Sequence, residues 1–242
     1  MRNSPAGGDG RRHLRVINPQ RFLLIGNTRW HWAEGAGTSQ WTYWHTTPRD
    51  GPSWKAMVPD RWAAVGPVPE ALSLSEDSRV HLDQVPLKEV PPWLGIDRAL
   101  AGWGAWSRSS GGEDLSVVDA GTVLSLTRVT ASGCFAGGLL CAGLRLQLQS
   151  MSEGTVALPV VGPDVPSMEP GPKLPADTAS AMTQGVLQSL LGLINGAQRH
   201  CDGTIWLCGG DAPLLFPELV ARGMDVQHTP DLVMETFVDL VS

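Results

Sequence analysis

The sequence predicts an α/β protein whose two halves follow one plan. Three observations carry this: each half opens with a short apolar strand that ends in a polar glycine turn, further strands follow each turn, and strands and helices then alternate to the end of the chain. Of the 242 residues, 42% are apolar and 17% charged, with a net charge of -6. These are ordinary values for a globular chain long enough to hold two compact domains of about 100 residues each.

The elements can be taken in order. Residues 1–20 contain Pro5, Gly7, Gly8 and Gly10 and no apolar run, so they read as a flexible tail rather than a secretory signal. Phe22-Leu23-Leu24-Ile25 is a buried strand, ending in Gly26-Asn27-Thr28. Arg29 to Ala33 and Gln40 to Thr46, separated by the Gly35/Gly37 turn, form an antiparallel pair packed by Trp30, Trp32, Trp41 and Trp44. A row of tryptophans can also stack bases or sugars, but no basic partners accompany it here. Proline-rich Gly51 to Pro92 yields only a short strand at Trp62 to Val65. Ile96 to Trp106 is a helix with Asp97 in its first turn, and Ser107 to Glu113 is a Ser/Gly linker. A domain boundary falls near Asp114, giving domains over 21–113 and 114–242. Beyond it, Leu115 to Val118 is a strand, Asp119-Ala120-Gly121-Thr122 its turn, and Val123 to Val129 a second strand. Thr178 to Asn195 is a long helix, and Gly203 to Cys208 a late strand ending in Gly209-Gly210-Asp211. The apolar face Val186, Leu190 and Leu193 fits either a buried intramolecular surface or a subunit interface.

Composition excludes several functions. An acidic chain without a basic stripe is a poor nucleic-acid binder, because displacing counterions from phosphates requires clustered Lys and Arg. No apolar run reaches the roughly 18 residues of a membrane helix, so the chain is expected to stay in the cytoplasm. Cys134/Cys141 and Cys201/Cys208 are each separated by six residues, against the two to four usual in zinc sites. They are expected to be free thiols, mostly buried.

The chemistry is expected at three turns. A glycine-polar turn after a buried strand lets backbone N–H groups and a hydroxyl face an anion, which holds phosphate without a dedicated lysine. Gly26-Asn27-Thr28 and Asp119-Ala120-Gly121-Thr122 fit this description, and Asp119 adds a carboxylate able to hold a cation near phosphate oxygens. Gly209-Gly210-Asp211-Ala212 allows close approach to a flat ligand. Each turn taken alone is equally well a structural turn, Asp119 included, as an Asx turn.

Taken together, the order of motifs resembles the type III pantothenate kinases. Gly26-Asn27-Thr28-Arg29, Leu94-Gly95-Ile96-Asp97-Arg98, Val118-Asp119-Ala120-Gly121-Thr122, Gly137-Gly138 with Gly143-Leu144-Arg145, Asp177-Thr178, and Gly209-Gly210-Asp211-Ala212 are similar to that family's successive motifs over roughly residues 22–232. The resemblance implies two RNase H-like domains of mixed sheets and flanking helices, with ATP in the cleft between them. It implies transfer of the γ-phosphoryl of ATP to the primary hydroxyl of pantothenate, the first step of coenzyme A biosynthesis. Gly95, Ile96, Asp97, Arg98 and Thr178 would hold pantothenate, with Asp97 as the base for its hydroxyl. Gly26, Asn27, Thr28, Arg29, Thr122, Gly209 and Gly210 would hold ATP with Mg2+. Asp119 would bind a monovalent cation, K+ or NH4+, and the protein would be a homodimer.

The chain departs from the family pattern at Leu24, where the family motif begins with aspartate. Leucine removes a charge where neutralisation of phosphate should contribute most. Either another acid substitutes, or turnover is slow and the chain is a ligand-binding regulatory relative. What separates the two is whether a second carboxylate reaches the first phosphate turn. Asp177 stands where the family more often has asparagine.

Overall fold

The computed structural model describes residues 19–36, 39–47, 57–70, 72–109, 112–162, 174–201 and 203–242. The tail expected over 1–20 lies outside the described residues except for its last two. Gly37, residues 51–56 of the proline-rich stretch and residues 110 and 111 of the linker also lie outside them.

Two sheets organise the chain. The first has the order β3-β2-β1-β4, from β1 (Gln20–Ile25), β2 (Trp30–Ala36), β3 (Ser39–Thr46) and β4 (Arg61–Ala64). β1, β2 and β3 run antiparallel, while β4 lies parallel to β1. The second has the order β7-β6-β5-β8-β9, from β5 (Leu115–Ala120), β6 (Val123–Val129), β7 (Phe135–Ala142), β8 (Ile205–Cys208) and β9 (Val226–His228). Here β5, β6 and β7 are antiparallel and β8 and β9 parallel to β5. The second sheet therefore repeats the plan of the first and extends it by one strand.

Strand alternation divides the interior into layers. On β1, Phe22 and Leu24 point into a central core, while Leu23 and Ile25 point to an outer one with Trp30, Trp32 and Trp62. Both faces are buried, so the strand reads as one continuous apolar run. Trp32 stacks on Trp44 with centroids 6.1 Å apart, and Trp41 stacks on Phe22 at 5.0 Å. The tryptophans thus pack the sheet, as their spacing predicts. On β5, Val117 faces the central core, whereas Val118 faces a third cluster. That cluster is covered by α2 (Leu144–Glu153), α3 (Thr178–Gln198) and α4 (Ala212–Ala221).

The central core is closed by α1 (Ile96–Arg108) and α5 (Leu232–Val241). The apolar spacing predicts α1 to within two residues, and Gly95 is its N-cap. α1 packs against β5 and β6, and α5 packs against α1 and β2. Gly104 lets the two helices touch, since a Cβ there would stand 1.8 Å from the Thr236 hydroxyl. Arg108 fastens the crossing by donating to Thr236 at 3.0 Å and by pairing with Asp239. The helix of the first half therefore lies on the second sheet, and the last helix returns to the first.

The faces left open by sequence reading are settled by packing. Val186 and Leu190 are buried in the α2–α3–α4 cluster and Leu193 packs against it, so intramolecular burial accounts for that face of α3. The cysteines are free: Cys201 and Cys208 are buried, and Cys134 and Cys141 half-buried.

Candidate active site

The parallel pairings bring the three turns together. Because β1 runs with β4, and β5 with β8, their C-terminal ends open on one side, and ligand sites in α/β sheets lie at such ends. Asp119 pairs in register with Cys208, which places Gly209 beside Ala120, and the N–H of Asp211 donates to the Ala120 carbonyl at 2.8 Å. Gly209 adopts φ +92°, and a Cβ there would stand 2.4 Å from Asp119 Oδ1. Only glycine fits this turn without displacing the carboxylate.

The first turn is closed by the Gly26 N–H donating to the Arg29 carbonyl at 3.0 Å, and leaves Asn27 and Thr28 exposed. Arg29 reaches across to the third turn: its Nη1 lies 3.0 Å from where a Cβ on Gly210 would stand. Burial raises the Asp211 carboxyl, opposed by the nearby Arg145 and Arg29 guanidinium groups. At the second turn the Thr122 carbonyl accepts from the Gly143 N–H at 2.9 Å, tying the turn to the N-terminus of α2.

A cavity of about 100 Å³ lies where the two sheets meet, lined among others by Leu24, Gly26, His31, Asp97, Asp119 and Asp231. It is smaller than a site for a whole ligand, roughly 300 Å³ or more, and has room for a phosphoryl-sized group. Asp97 is the second residue of α1, with its Oδ1 accepting the Arg98 N–H at 2.8 Å. Burial raises its carboxyl above the ordinary range. Burial, together with the charge of Asp97, pushes Asp119 up to about 7. Two crowded carboxylates with little water around them favour a proton or a cation between them. Arg98 directs its guanidinium toward the second sheet, where Nε donates to Thr127 Oγ1 at 3.0 Å.

Asp97, Asp119, Gly26 and Gly209 are thus brought to one cavity, with Gly95 capping α1 beside it and Ile96 buried. Thr178 is not brought there. It is exposed at the start of α3, where the Asp177 side chain caps the helix by accepting the Ser180 N–H at 2.9 Å. A capping role suits aspartate and asparagine alike, which explains why Asp177 can stand where asparagine is commoner.

Sequence reading missed His31 and Asp231. His31 pairs with Leu24 across β1 and β2, so both reach the cavity from neighbouring strands. Burial first, then the charges of His45 and Arg29, lower its pKa to about 4, so the imidazole is neutral at pH 7. The alternation of β2 assigns His31 to one face, but not to a cavity. Asp231 precedes α5 and arrives only because that helix folds back between the sheets.

No group of three or more His, Cys, Asp or Glu side chains among the described residues is arranged to hold a metal ion. The carboxylates that line the cavity, Asp97, Asp119 and Asp231, fit magnesium, which keeps several waters and binds through substrate phosphates and one or two carboxylates.

Comparison with known proteins bears on the fold and the family. The solved structures similar to the chain include a Campylobacter jejuni protein described as a Baf family transcriptional activator, with TM-score 0.61 and 18% identity, covering 91% of this chain and 96% of that one. They also include an activator of 2-hydroxyisocaproyl-CoA dehydratase from Clostridium difficile, with TM-score 0.55 and 11% identity, covering 92% and 93%. At such identities these likenesses show the fold, the two-domain actin-like ATPase fold. A family model described as type III pantothenate kinase matches residues 75–200. Curated type III pantothenate kinases from Synechococcus sp. (strain JA-3-3Ab) and Thermosynechococcus vestitus are 34% and 36% identical, over 89% and 84% of this chain and 90% and 81% of theirs. The chain belongs to the type III pantothenate kinase family.

Proposed function

We propose that the chain transfers the γ-phosphoryl group of ATP to the primary hydroxyl of pantothenate, opening coenzyme A biosynthesis, with Asp97 as the general base. The observation that carries this reading is the single cavity in which Asp97 and Asp119 meet the first and third glycine turns. Phosphoryl transfer asks the protein mainly to position groups and neutralise charge, and a carboxylate takes the hydroxyl proton as the new bond forms. A base works best with a pKa near the operating pH, and burial moves Asp97 in that direction.

Gly26, Asn27, Thr28, Arg29, Thr122, Gly209 and Gly210 would hold the nucleotide, largely through backbone N–H groups. Asp119 would hold a monovalent cation, and its raised pKa fits a carboxylate that gains from a cation beside it. Magnesium would accompany ATP and neutralise phosphate charge. Leu24 takes a carboxylate from the cavity wall, yet Asp97, Asp119 and Asp231 line the same space. Of these, Asp231 has no other role assigned to it and would stand in for the missing charge, which supports the kinase reading.

Gly95, Ile96 and Arg98 would hold pantothenate, with Arg98 pairing with its carboxylate. Thr178 does not line the Asp97 cavity of its own chain, so we assign it to the substrate of a second copy in a homodimer. No helix among the described residues is long and apolar enough to cross a membrane, and a cytoplasmic location is part of this reading. The division into domains at 21–113 and 114–242 is also part of it, supported by one sheet falling in each half.

The test is ADP release from ATP with and without pantothenate, in potassium and in sodium buffer. Pantothenate-dependent turnover that requires potassium is expected, and Asp97→Asn should reduce kcat by a factor on the order of 100 to 10,000 while pantothenate still binds. Full activity in Asp97→Asn would remove Asp97 from the role of base.

A further inference from the structure

We propose that Thr127 is a positioning residue for the substrate acid: its buried hydroxyl fixes the Arg98 guanidinium so that the two Nη groups face the substrate carboxylate. This rests on the reading of Arg98 as the partner of that carboxylate.

Thr127 lies on β6 with 1% of its surface exposed, and its Oγ1 accepts from Arg98 Nε at 3.0 Å. Water has little access to replace that acceptor. On the neighbouring positions of β6, Leu126 faces the helices of the second half and Val129 faces α1. Thr127 also faces α1, where its methyl lies 3.8 Å from the position a Cβ on Gly102 would take. The residue therefore has two separable functions: its methyl packs on the helix, and its hydroxyl holds the arginine.

The groove for the arginine is built into the ladder. Thr127 pairs with Gly138 of β7, and the register shifts between Thr127 and Val129. A Cβ on Gly138 would stand 2.7 Å from Arg98 Nη2 and 2.0 Å from the Leu126 carbonyl. The guanidinium thus fills the space a side chain would take, with the Phe135 ring 6.0 Å from its Cζ. Among the described residues no carboxylate forms an ion pair with the Arg98 guanidinium; Asp97 acts on it through its charge, while Asp97 Oδ1 accepts the Arg98 backbone N–H. With Nε engaged by Thr127, the two Nη groups remain as the fork that can meet a carboxylate with two parallel hydrogen bonds. Pre-ordering a side chain with many rotamers lowers the entropy lost when the ligand binds.

The experiment compares steady-state kinetics of Thr127→Val, Thr127→Ser and Arg98→Ala, using pantothenate and the uncharged primary amide made from its carboxyl group. Valine keeps the methyl contact and removes only the hydroxyl; serine does the reverse. Thr127→Val should raise KM for pantothenate about tenfold, in line with the loss of a hydrogen bond to a charged group, with kcat and KM for ATP little changed. Thr127→Ser should stay near the parent value, and Thr127→Val should handle the amide as the parent does. An unchanged KM for pantothenate in Thr127→Val, with a raised one in Arg98→Ala, would overturn the role of Thr127 and leave Arg98 in place. An unchanged KM in Arg98→Ala would overturn the Arg98 reading, and this inference with it. A loss in Thr127→Val shared equally by pantothenate and amide would assign the effect to packing and also overturn the proposal.

Discussion

At Asp119, burial and the nearby charge of Asp97 lift the carboxyl to about 7, above the value of an unfolded chain near 4. Between those values the folded protein holds a proton that the unfolded chain has released, so stability falls as pH rises through that window. Asp119→Asn should therefore stabilise the ligand-free protein at pH 8, by a few kcal/mol at most, while turnover is lost; thermal melts and ADP release check the two halves separately. His31, which lines the same cavity, titrates with the opposite consequence. Its folded pKa of about 4 lies below the ordinary 6.5, so the unfolded chain takes up the proton first and stability falls as pH drops from about 6.5 toward 4. The full shift corresponds to roughly 3 kcal/mol. Urea unfolding at pH 7.5 and pH 5 should show a smaller pH difference in His31→Gln than in the parent, and an equal difference would count against a buried neutral imidazole. At both residues the stability cost has the same origin, the removal of water from a polar cavity.

Among the elements, the strand-to-turn junctions carry the site, and their glycines differ in what they do. Gly209 and Gly223 both adopt positive φ, at +92° and +77°. A Cβ on Gly209 would strike Asp119 and the Ala120 backbone, whereas one on Gly223 meets nothing within 4 Å. Gly223→Ala should cost only the conformational penalty of about 1 kcal/mol. Gly209→Ala should cost more than about 2 kcal/mol and raise KM for ATP, since it adds an overlap that the turn can relieve only by moving. Denaturant titration and ATP kinetics on the two variants separate these effects; equal losses in both would mean that the β8 turn has no special role. Element identity was largely legible in the sequence, because β1, β2, β3, β5, β6, β8, α1 and α3 have clear apolar periods. β7, with its four exposed positions, and α2, with two of ten residues buried, lacked such a signal. Three-residue β9 is held by its pairing with β8 rather than by any pattern of its own.

For the whole molecule, two features join the halves: a core shared between sheets, and helices exchanged across it. Phe22 of β1 meets Phe237 of α5 with centroids 6.0 Å apart, and Leu100 of α1 is buried in the same cluster as Val117 and Trp206 of the second sheet. Burying these side chains is the main force that sets the sheets so that their glycine turns face one cavity. The proposed homodimer adds a requirement at this scale, because Thr178 is exposed and not among the residues that line the cavity with Asp97. Mixing Asp97→Asn with Thr178→Ala subunits, each impaired alone, should restore about a quarter of parental activity through dimers that carry one intact site. No recovery after unfolding and refolding the mixture together, with dimers present by sedimentation, would place Thr178 outside the partner's site.

By itself the sequence determined the α/β class, the two strand-turn units, the glycine turns and the Asp97-Arg98 pair, because each of these is a local pattern of period, turn chemistry or helix start. It also marked Leu24 as the place where a charge is missing. What the tertiary structure decided is the company those residues keep: that Asp97 sits near enough to Asp119 to raise its pKa, that Arg29 reaches the Gly210 turn, that Arg98 rests on Thr127, and that His31 and Asp231 join the cavity. Those contacts join residues up to two hundred positions apart, and they form only when α1 and α5 cross between the sheets. Local propensity carries no information about such a crossing; the burial of Phe22, Leu100 and Phe237 together does.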